Sequence, residues 1–384
     1  MTAIDRALLA EVTAPVERAR GLPNAFYTDP GLFEAEKRAV FAANWACIGF
    51  GKDVAAAGHA RPVDFLGTPL LLVRDRDGTI RVFQNVCRHR GMKLIEQPVR
   101  LSGPIRCPYH SWSYDLSGRL RATPHVGGPG QGDHPAIDKA ELGLIEVRSR
   151  LFMDMIFVNL SGVAPEFEFA MAPLLDRWSE FAGQSLHHGG PDCSTTLELD
   201  CNWKLAVENY CESYHLPWVH PGLNSYSRLE DHYNIVEPQV FSGQGSYVYD
   251  PQLDASGRRF PGFPGISAKW DRAAEYVALY PNVLLGVHKD HFFAMLIQPT
   301  AVDRTTERLE IYYAAPEVAE EDCAAMRATH VEMWRQVFRE DVFAVEGMQK
   351  GRAAPGFDGG RFSPVMEAPT HCFHDWVARQ FEAA

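Results

Sequence analysis

The chain lacks the features that would send it to a membrane, a nucleic acid or an oxidising compartment. No apolar run approaches the roughly 20 residues that a bilayer-spanning helix needs, so no membrane partner is expected. Positive charge is not in excess. Lys and Arg number 37 against 49 Asp and Glu, a formal net charge of −12, which argues against a nucleic-acid partner because phosphate binding needs basic patches. The start, Met1-Thr-Ala-Ile-Asp-Arg, has an early acid and no apolar stretch, so no secretory signal is read there and a reducing cytoplasm is expected. The eight cysteines show no regular disulfide framework. Internal repeats, low-complexity tracts, a G-x-G-x-x-G strand–turn–helix unit and plant-type ferredoxin cysteine spacing are also missing.

What is present is an ordinary globular composition, 46% hydrophobic and 22% charged, in 384 residues, enough for two domains. Residues 1–45 read as an N-terminal helical segment, with Ala3–Val12 and a run from Pro30 as its helices. Residues 46–160 read as a module of short strands: 61–66, 69–74, 80–86 and a closing strand Phe152–Leu160, with Gly67-Thr68 and Asp77-Gly78 as hairpin turns and Asp115–Gly118 as a further turn. Residues 161–384 form the second domain. There the pattern predicts a helix over Phe167–Ala182, a strand over Ser194–Asp200, a helix over Trp203–His215, strands at 283–287, 292–298 and 308–314, and a long helix from Pro316 to about Gly351.

Two short motifs in the first module carry chemistry: Cys87-Arg-His89 and Cys107-Pro-Tyr-His110. Two thiolates and two imidazoles suit a zinc ion or a two-iron cluster. A Cys2His2 zinc finger pairs Cys with Cys and His with His, whereas each loop here carries one of each, as two loops clasping a cluster from opposite sides would. Gly91 allows a tight turn and Trp112 supplies apolar cover, both suited to buried sulfide. The pair resembles the Rieske [2Fe–2S] signature.

The second domain holds another candidate metal site. At helical spacing Leu205, Glu208, Glu212 and His215 share one face, and Pro217 is expected to end that helix and leave His220 on a turn. Two histidines at a helix exit can take adjacent positions on an octahedral ion, and a carboxylate would complete a 2-His-1-carboxylate triad. On the late helix Trp334, Phe338, Asp341, Val345 and Met348 form one stripe in which Asp341 is the lone charge. Glu340 is rotated about 100° away, with an easier route to solvent. Asp341 is the candidate third ligand; an aspartate paired with an arginine or capping a turn is the alternative.

Both halves together resemble, over nearly the whole chain, the α subunit of a Rieske non-haem iron oxygenase, of the ring-hydroxylating oxygenase superfamily. The family pattern E-N-x-x-[D/E]-x-Y-H-x4-H matches Glu208, Asn209, Glu212, Tyr214, His215 and His220, and Glu340-Asp341 matches its helical Asp preceded by Glu. The resemblance implies an α+β fold: an antiparallel-β Rieske domain, and a helix-grip (START-like) catalytic domain with an antiparallel sheet and a long C-terminal helix. It implies a [2Fe–2S] cluster at Cys87, His89, Cys107 and His110, and mononuclear Fe(II) at His215, His220 and Asp341. Asn209 would lie near the iron. Glu212 would bridge His215 to a cluster histidine of a neighbouring subunit, in a homotrimer or a multiple of one. Most of the family has Asp where this chain has Glu212, and Glu resembles the branch acting on quaternary ammonium compounds.

The expected function is oxygenation of a small organic substrate. NAD(P)H electrons would arrive through a separate flavin/iron–sulfur reductase, with or without a ferredoxin. A monooxygenation or N-demethylation of a quaternary ammonium compound is one reading, and hydroxylation, dihydroxylation or O-demethylation of an aromatic acid another. A third is an electron-transfer or iron-sensing protein without oxygenation. His288-Lys-Asp-His291 and His371-Cys-Phe-His374 have no further ligand candidates at matching spacing, although His288 or His291 could line a pocket, and His187-His188 is read as loop. The remaining cysteines are read as small core residues. Tyr210, Tyr249, Phe292 and other aromatics are mostly core, with enough to spare for a cation–π cage or an aromatic slot.

Overall fold

The computed structural model describes residues 6–383, with side chains from Leu8 onward. It divides into two compact units, one of residues 43–164, the other of the residues up to Ala42 together with those from Pro165 onward. Every strand pairing found is antiparallel.

The smaller unit is built of three small sheets. Thr68–Arg74 is central in the largest because Leu70-Leu-Leu-Val73 is apolar on both faces, and all four side chains are fully buried. His59–Phe65 pairs on one side and Ile80–Gln84 on the other. The turn between His59–Phe65 and Thr68–Arg74 is Leu66-Gly67, both at positive φ, the hand that suits a two-residue hairpin. The expected single strand 152–160 is instead a hairpin, Arg148–Phe152 with Met155–Asn159. Met153 and Asp154 make its turn at φ 46° and 62°. No glycine marks that turn. Tertiary bonds hold it instead, because Asp154 accepts from the backbone N–H groups of both Gly51 and Lys52.

The larger unit wraps an eight-stranded sheet around helices. Strands run in chain order from His232–Glu237 through Phe241–Ser246, Ala274–Leu279, Val283–Val287 and His291–Ala301 to Arg304–Tyr313, which also pairs with Ser194–Leu199. The helix Trp203–Cys211 packs on Ala274–Leu279 and Phe241–Ser246, and the helix Ala324–Gly351 packs against it. The long helix starts at Ala324, preceded by two short 3-10 turns, later than the Pro316 read from sequence. The segment 167–182 is three short helices interrupted at Met171 and Trp178. Trp178, at the second break, donates its indole N–H to the buried Glu275 carboxylate (2.8 Å). His187-His188 is a short strand paired with Tyr312 and Tyr313, not a loop. A further helix, Ala368–Ala383, was not expected; it buries Phe373, Trp376 and Val377 and carries His371 and His374.

Candidate metal centres and the cavity beside them

In the smaller unit both Cys-His loops adopt the same turn. The Cys87 N–H donates to Met92 O (2.8 Å) and Gly91 N–H to Cys87 O (3.1 Å). In the second loop Cys107 N–H donates to Trp112 O (2.8 Å) and Ser111 N–H to Cys107 O (3.1 Å). Each turn needs a residue at positive φ four places after its cysteine: Gly91 at 76° in one, Ser111 at 57° in the other. The first loop is tied down by the buried Asn85, whose side chain bonds Ile95 in both directions.

The cysteines are buried in the unit's core, each 2% exposed, while His89 lies at the surface and His110 is half-buried. His89 and His110 rings sit 4.7 Å apart, and His89 stacks on Trp112 at 4.6 Å. Burial pushes the Cys87 thiol up, although a 3.3 Å contact with the Tyr114 hydroxyl opposes this. Burial likewise pushes Tyr114 up, so its hydroxyl keeps its proton. Since it already accepts from Arg88 N–H (3.0 Å), that proton is free for the Cys87 sulfur. Burial, with His110 and Arg90, lowers His89 and keeps it a neutral ligand. His110 Nδ1 is buried with no hydrogen-bond partner. Two buried thiols and an orphaned imidazole nitrogen on paired loops of the same turn fit a two-iron cluster.

In the larger unit His215, His220 and Asp341 converge, their ligand atoms all within 4.8 Å of one another. His220 Nε2 lies 3.0 Å and His215 Nε2 3.8 Å from Asp341 Oδ1, yet that oxygen is buried and accepts no hydrogen bond. Each imidazole is oriented from behind by a carboxylate. Glu212 Oε1 is 2.6 Å from His215 Nδ1, and Glu340 Oε2 is 2.9 Å from His220 Nδ1. A carboxylate can only accept there, so the ring proton sits on Nδ1 and the Nε2 lone pair faces the centre. Burial pulls His220 down, but Asp341 and Glu340 outweigh it and hold the imidazole above its ordinary value. Lone pairs and negative charge converging on a point without a hydrogen bond fit a divalent cation.

Several local expectations change. The helix from Trp203 ends at Cys211, and Glu212 is extended because its carboxylate turns to accept the N–H groups of Tyr214 and His215 (3.2 Å to the latter). Pro217 starts a short helix, Leu216–Val219, where its missing N–H costs nothing, and does not end one; His215 and His220 are its two caps. Glu208 is not on the metal face. It bonds the Tyr27 hydroxyl and lies near His374 Nε2 (3.2 Å) and Arg352 (3.7 Å), helping to tie the terminal segments together beside the buried pair Lys204–Glu36 (2.5 Å). Glu340 does not run to solvent; its long side chain reaches His220, braced by Gln336 (3.0 Å).

A cavity of about 40 Å³ opens beside the triad, lined by Asn209, Tyr210, Tyr276, Trp334 and Phe338. A second small space beyond Asp341 brings in Asn209 and the buried Glu307, whose carboxyl is pushed up to about 8, mainly by burial and then by the Asp341 charge.

A β unit with paired Cys-His loops and, in the same chain, a helix-grip unit with a 2-His-1-carboxylate convergence are the plan of a Rieske non-haem iron oxygenase. Residues 175–383 match the ring hydroxylating alpha subunit (catalytic domain) and residues 44–136 the Rieske [2Fe-2S] domain, and the chain belongs to that family. It is an oxidoreductase whose cofactors are a Rieske [2Fe–2S] cluster and a mononuclear iron. It is 29% identical to the carnitine monooxygenase oxygenase subunit of Escherichia coli (strain K12) over 383 residues, covering 95% of each chain. It is 28% identical to the chloroplastic choline monooxygenase of Arabidopsis thaliana, covering 94% of this chain and 82% of the other. Its fold matches the solved structure of a quaternary ammonium Rieske monooxygenase at TM-score 0.78 and 24% identity, over 97% of this chain and 98% of that one. Among the described residues no helix is long and apolar enough to cross a membrane.

Proposed function

We propose that this protein is the oxygenase component of a system that monooxygenates a small quaternary ammonium compound, releasing an amine and an aldehyde. The observation that carries this is the convergence of two carboxylate-backed imidazoles and Asp341 beside a cavity whose walls include the aromatic rings of Tyr210, Tyr276, Trp334 and Phe338 among aliphatic and polar neighbours. Aromatic faces hold a cation that offers no N–H, through cation–π attraction. Relatives that oxidise carnitine and choline support the same class.

In this reading Cys87, His89, Cys107 and His110 hold the cluster, and His215, His220 and Asp341 hold iron. When bound, the two groups supply electron storage and O2 activation. The residues of the chain set the conditions. Glu212 and Glu340 fix both imidazole tautomers, Asn209 faces the cavity beside Asp341, and the aromatic walls exclude water. The balance is substrate C–H plus O2, two electrons and two protons to C–OH plus water. A hydroxyl on a carbon bonded to the ammonium nitrogen then loses its proton, the C–N bond breaks toward nitrogen, and a tertiary amine and a carbonyl compound separate.

The electrons come from NAD(P)H through a separate reductase, with or without a ferredoxin. The working assembly is a homotrimer in which Glu212 bridges His215 to a cluster histidine of the next subunit. Exposed Tyr214 and Trp218, packed together on the turn beside Glu212, suit such a covered face. The eight free, buried cysteines suit a cytoplasmic location. The test is substrate-dependent NADH and O2 consumption with purified reductase, using quaternary amines and an aromatic acid, with product identification. Quaternary amines should give amine and aldehyde in step with O2 uptake; turnover of the aromatic acid alone would refute the assignment.

A further inference from the structure

Trp334 is buried and lines the small cavity together with His215, His220 and Asp341. It lies seven residues before Asp341 on the same helix, which at about 1.5 Å per residue is roughly 10 Å along the axis. Its indole N–H is shared by His291 Nε2 and His330 Nε2, each at 3.1 Å. An indole can only donate, so both imidazoles accept there and carry their proton on Nδ1. His291 gives that proton to the Asp290 carboxylate (2.7 Å) and His330 gives its own to the Tyr313 hydroxyl (2.9 Å). Asp290, His291 and His330 line a second cavity of about 350 Å³. The exposed Arg258, Asp271 and Lys289 line it too, so it is open to solvent.

Indole is among the most easily oxidised side chains, and its one-electron oxidised form is a strong acid, so a placed proton acceptor eases the oxidation. Three oxidisable rings lie together here, and they differ in where the proton goes. Trp334 has a two-step path, to His291 Nε2 and from His291 Nδ1 to Asp290, which ends on a carboxylate at the open cavity and leaves both rings uncharged. His330 is the weaker acceptor, because burial, with His291 beside it, holds it well below its ordinary value. Tyr276 lines the triad cavity too, but its hydroxyl meets His288 Nε2 (3.1 Å). Burial, with His291 and His330, holds that imidazole well below its ordinary value. Tyr249 stacks on Trp334 at 6.1 Å, and its hydroxyl is buried with no partner, as is His288 Nδ1. An oxidising equivalent that reaches these rings therefore settles on Trp334.

We propose that Trp334 is a protective electron donor to the iron site, used when an oxidant arises there with no substrate to take it, and that His291 and Asp290 receive its proton. This goes beyond the reading above and depends on no particular substrate. The oxidant is peroxide, the product of O2, two reductase electrons and two protons. One H2O2 takes up two further protons and two electrons and becomes two waters. One electron comes from the ferrous ion and the other from Trp334. As the indole proton moves to His291 Nε2, His291 Nδ1 hands its own to Asp290, and a neutral indolyl radical remains. The oxidation then rests two helical turns from Asp341, and His215 and His220 are spared.

The test adds hydrogen peroxide to substrate-free holoenzyme with its cluster oxidised and its mononuclear iron ferrous, so that the cluster cannot be the donor. Samples are frozen rapidly for electron paramagnetic resonance. An organic radical should appear whose spectrum narrows with ring-deuterated tryptophan and is unchanged by ring-deuterated tyrosine. Trp334→Phe should lose this radical, and oxidation of His215 and His220, read by peptide mass spectrometry, should rise. Asp290→Asn leaves the packing around the indole in place and should slow radical formation about tenfold, the equivalent of one hydrogen bond to a charged group. No radical in the wild type, a radical that follows the tyrosine label, a tryptophan radical that persists in Trp334→Phe, or an unchanged rate in Asp290→Asn each overturns the proposal. If Trp334→Phe fails to bind iron, the labelled wild type and Asp290→Asn decide it.

Discussion

The two candidate metal centres of this chain are built on opposite plans. The cluster loops are local. Each is a single turn of a few residues, closed by its own backbone bonds, and the second repeats the first. The mononuclear centre is assembled from distance. His215 and His220 cap one short helix, while Asp341 and Glu340 come from another more than a hundred residues later. A local centre depends on turn conformation; a distributed one depends on how two helices pack. The same functional need, a metal ligand held at one angle, is therefore met by backbone geometry in one place and by side-chain carboxylates in the other.

That contrast can be broken apart by loading the centres separately. Replacing Asp341 with Ala should abolish turnover and lower bound iron from about three to about two per chain, with the visible spectrum of the cluster intact. Cys107→Ser should do the reverse, removing the spectrum and leaving about one iron. Metal analysis and absorption on the same samples decide this, and loss of both metals in either variant would mean that the centres do not load independently. Next in size, Glu340→Gln keeps the shape but weakens the hold on His220, and should cost roughly 10–100-fold in iron affinity or activity, read by iron titration. A silent Glu340→Gln would show that packing alone aims His220.

Smaller effects probe the local plan. Tyr114→Phe removes the hydroxyl at 3.3 Å from Cys87 and should lower the cluster potential, since a hydrogen bond to a cluster sulfur stabilises the reduced, more negative form. A potentiometric titration reads it. Smaller still is Gly91→Ala. Nothing lies within 4 Å of the added carbon, so the cost is backbone strain alone, about 1 kcal/mol in thermal unfolding. Ser111→Gly at the matching position of the other loop should cost less, because it relieves the same strain.

Much of the candidate site was legible before any coordinates, and the structure brings His215, His220 and Asp341 together. The Cys-His spacing, the His215–His220 pair and the lone charge of Asp341 in an apolar stripe are all local patterns that chemistry constrains. Glu340 was misjudged for a physical reason. A helical rotation of 100° fixes where a Cβ points, and a glutamate has enough further length to turn back toward a partner arriving from elsewhere. Glu208 was misplaced because the helix stops at Cys211, where Glu212 bonds the backbone ahead of it, and periodicity cannot register that stop. The hairpin at Met153-Asp154 carries no glycine because distant backbone groups at Gly51 and Lys52 hold it.

The amino-acid sequence by itself determined the class of protein, the antiparallel plan of both units and the residue types at each centre, because metal chemistry demands particular donors at short range. Only the tertiary structure decided which carboxylate stands behind which imidazole. It also gathered His288, His291 and His330 behind Trp334, and left His288 Nδ1 and the Tyr249 hydroxyl without partners. Those facts depend on contacts between segments far apart in the chain, and no spacing along one segment encodes them.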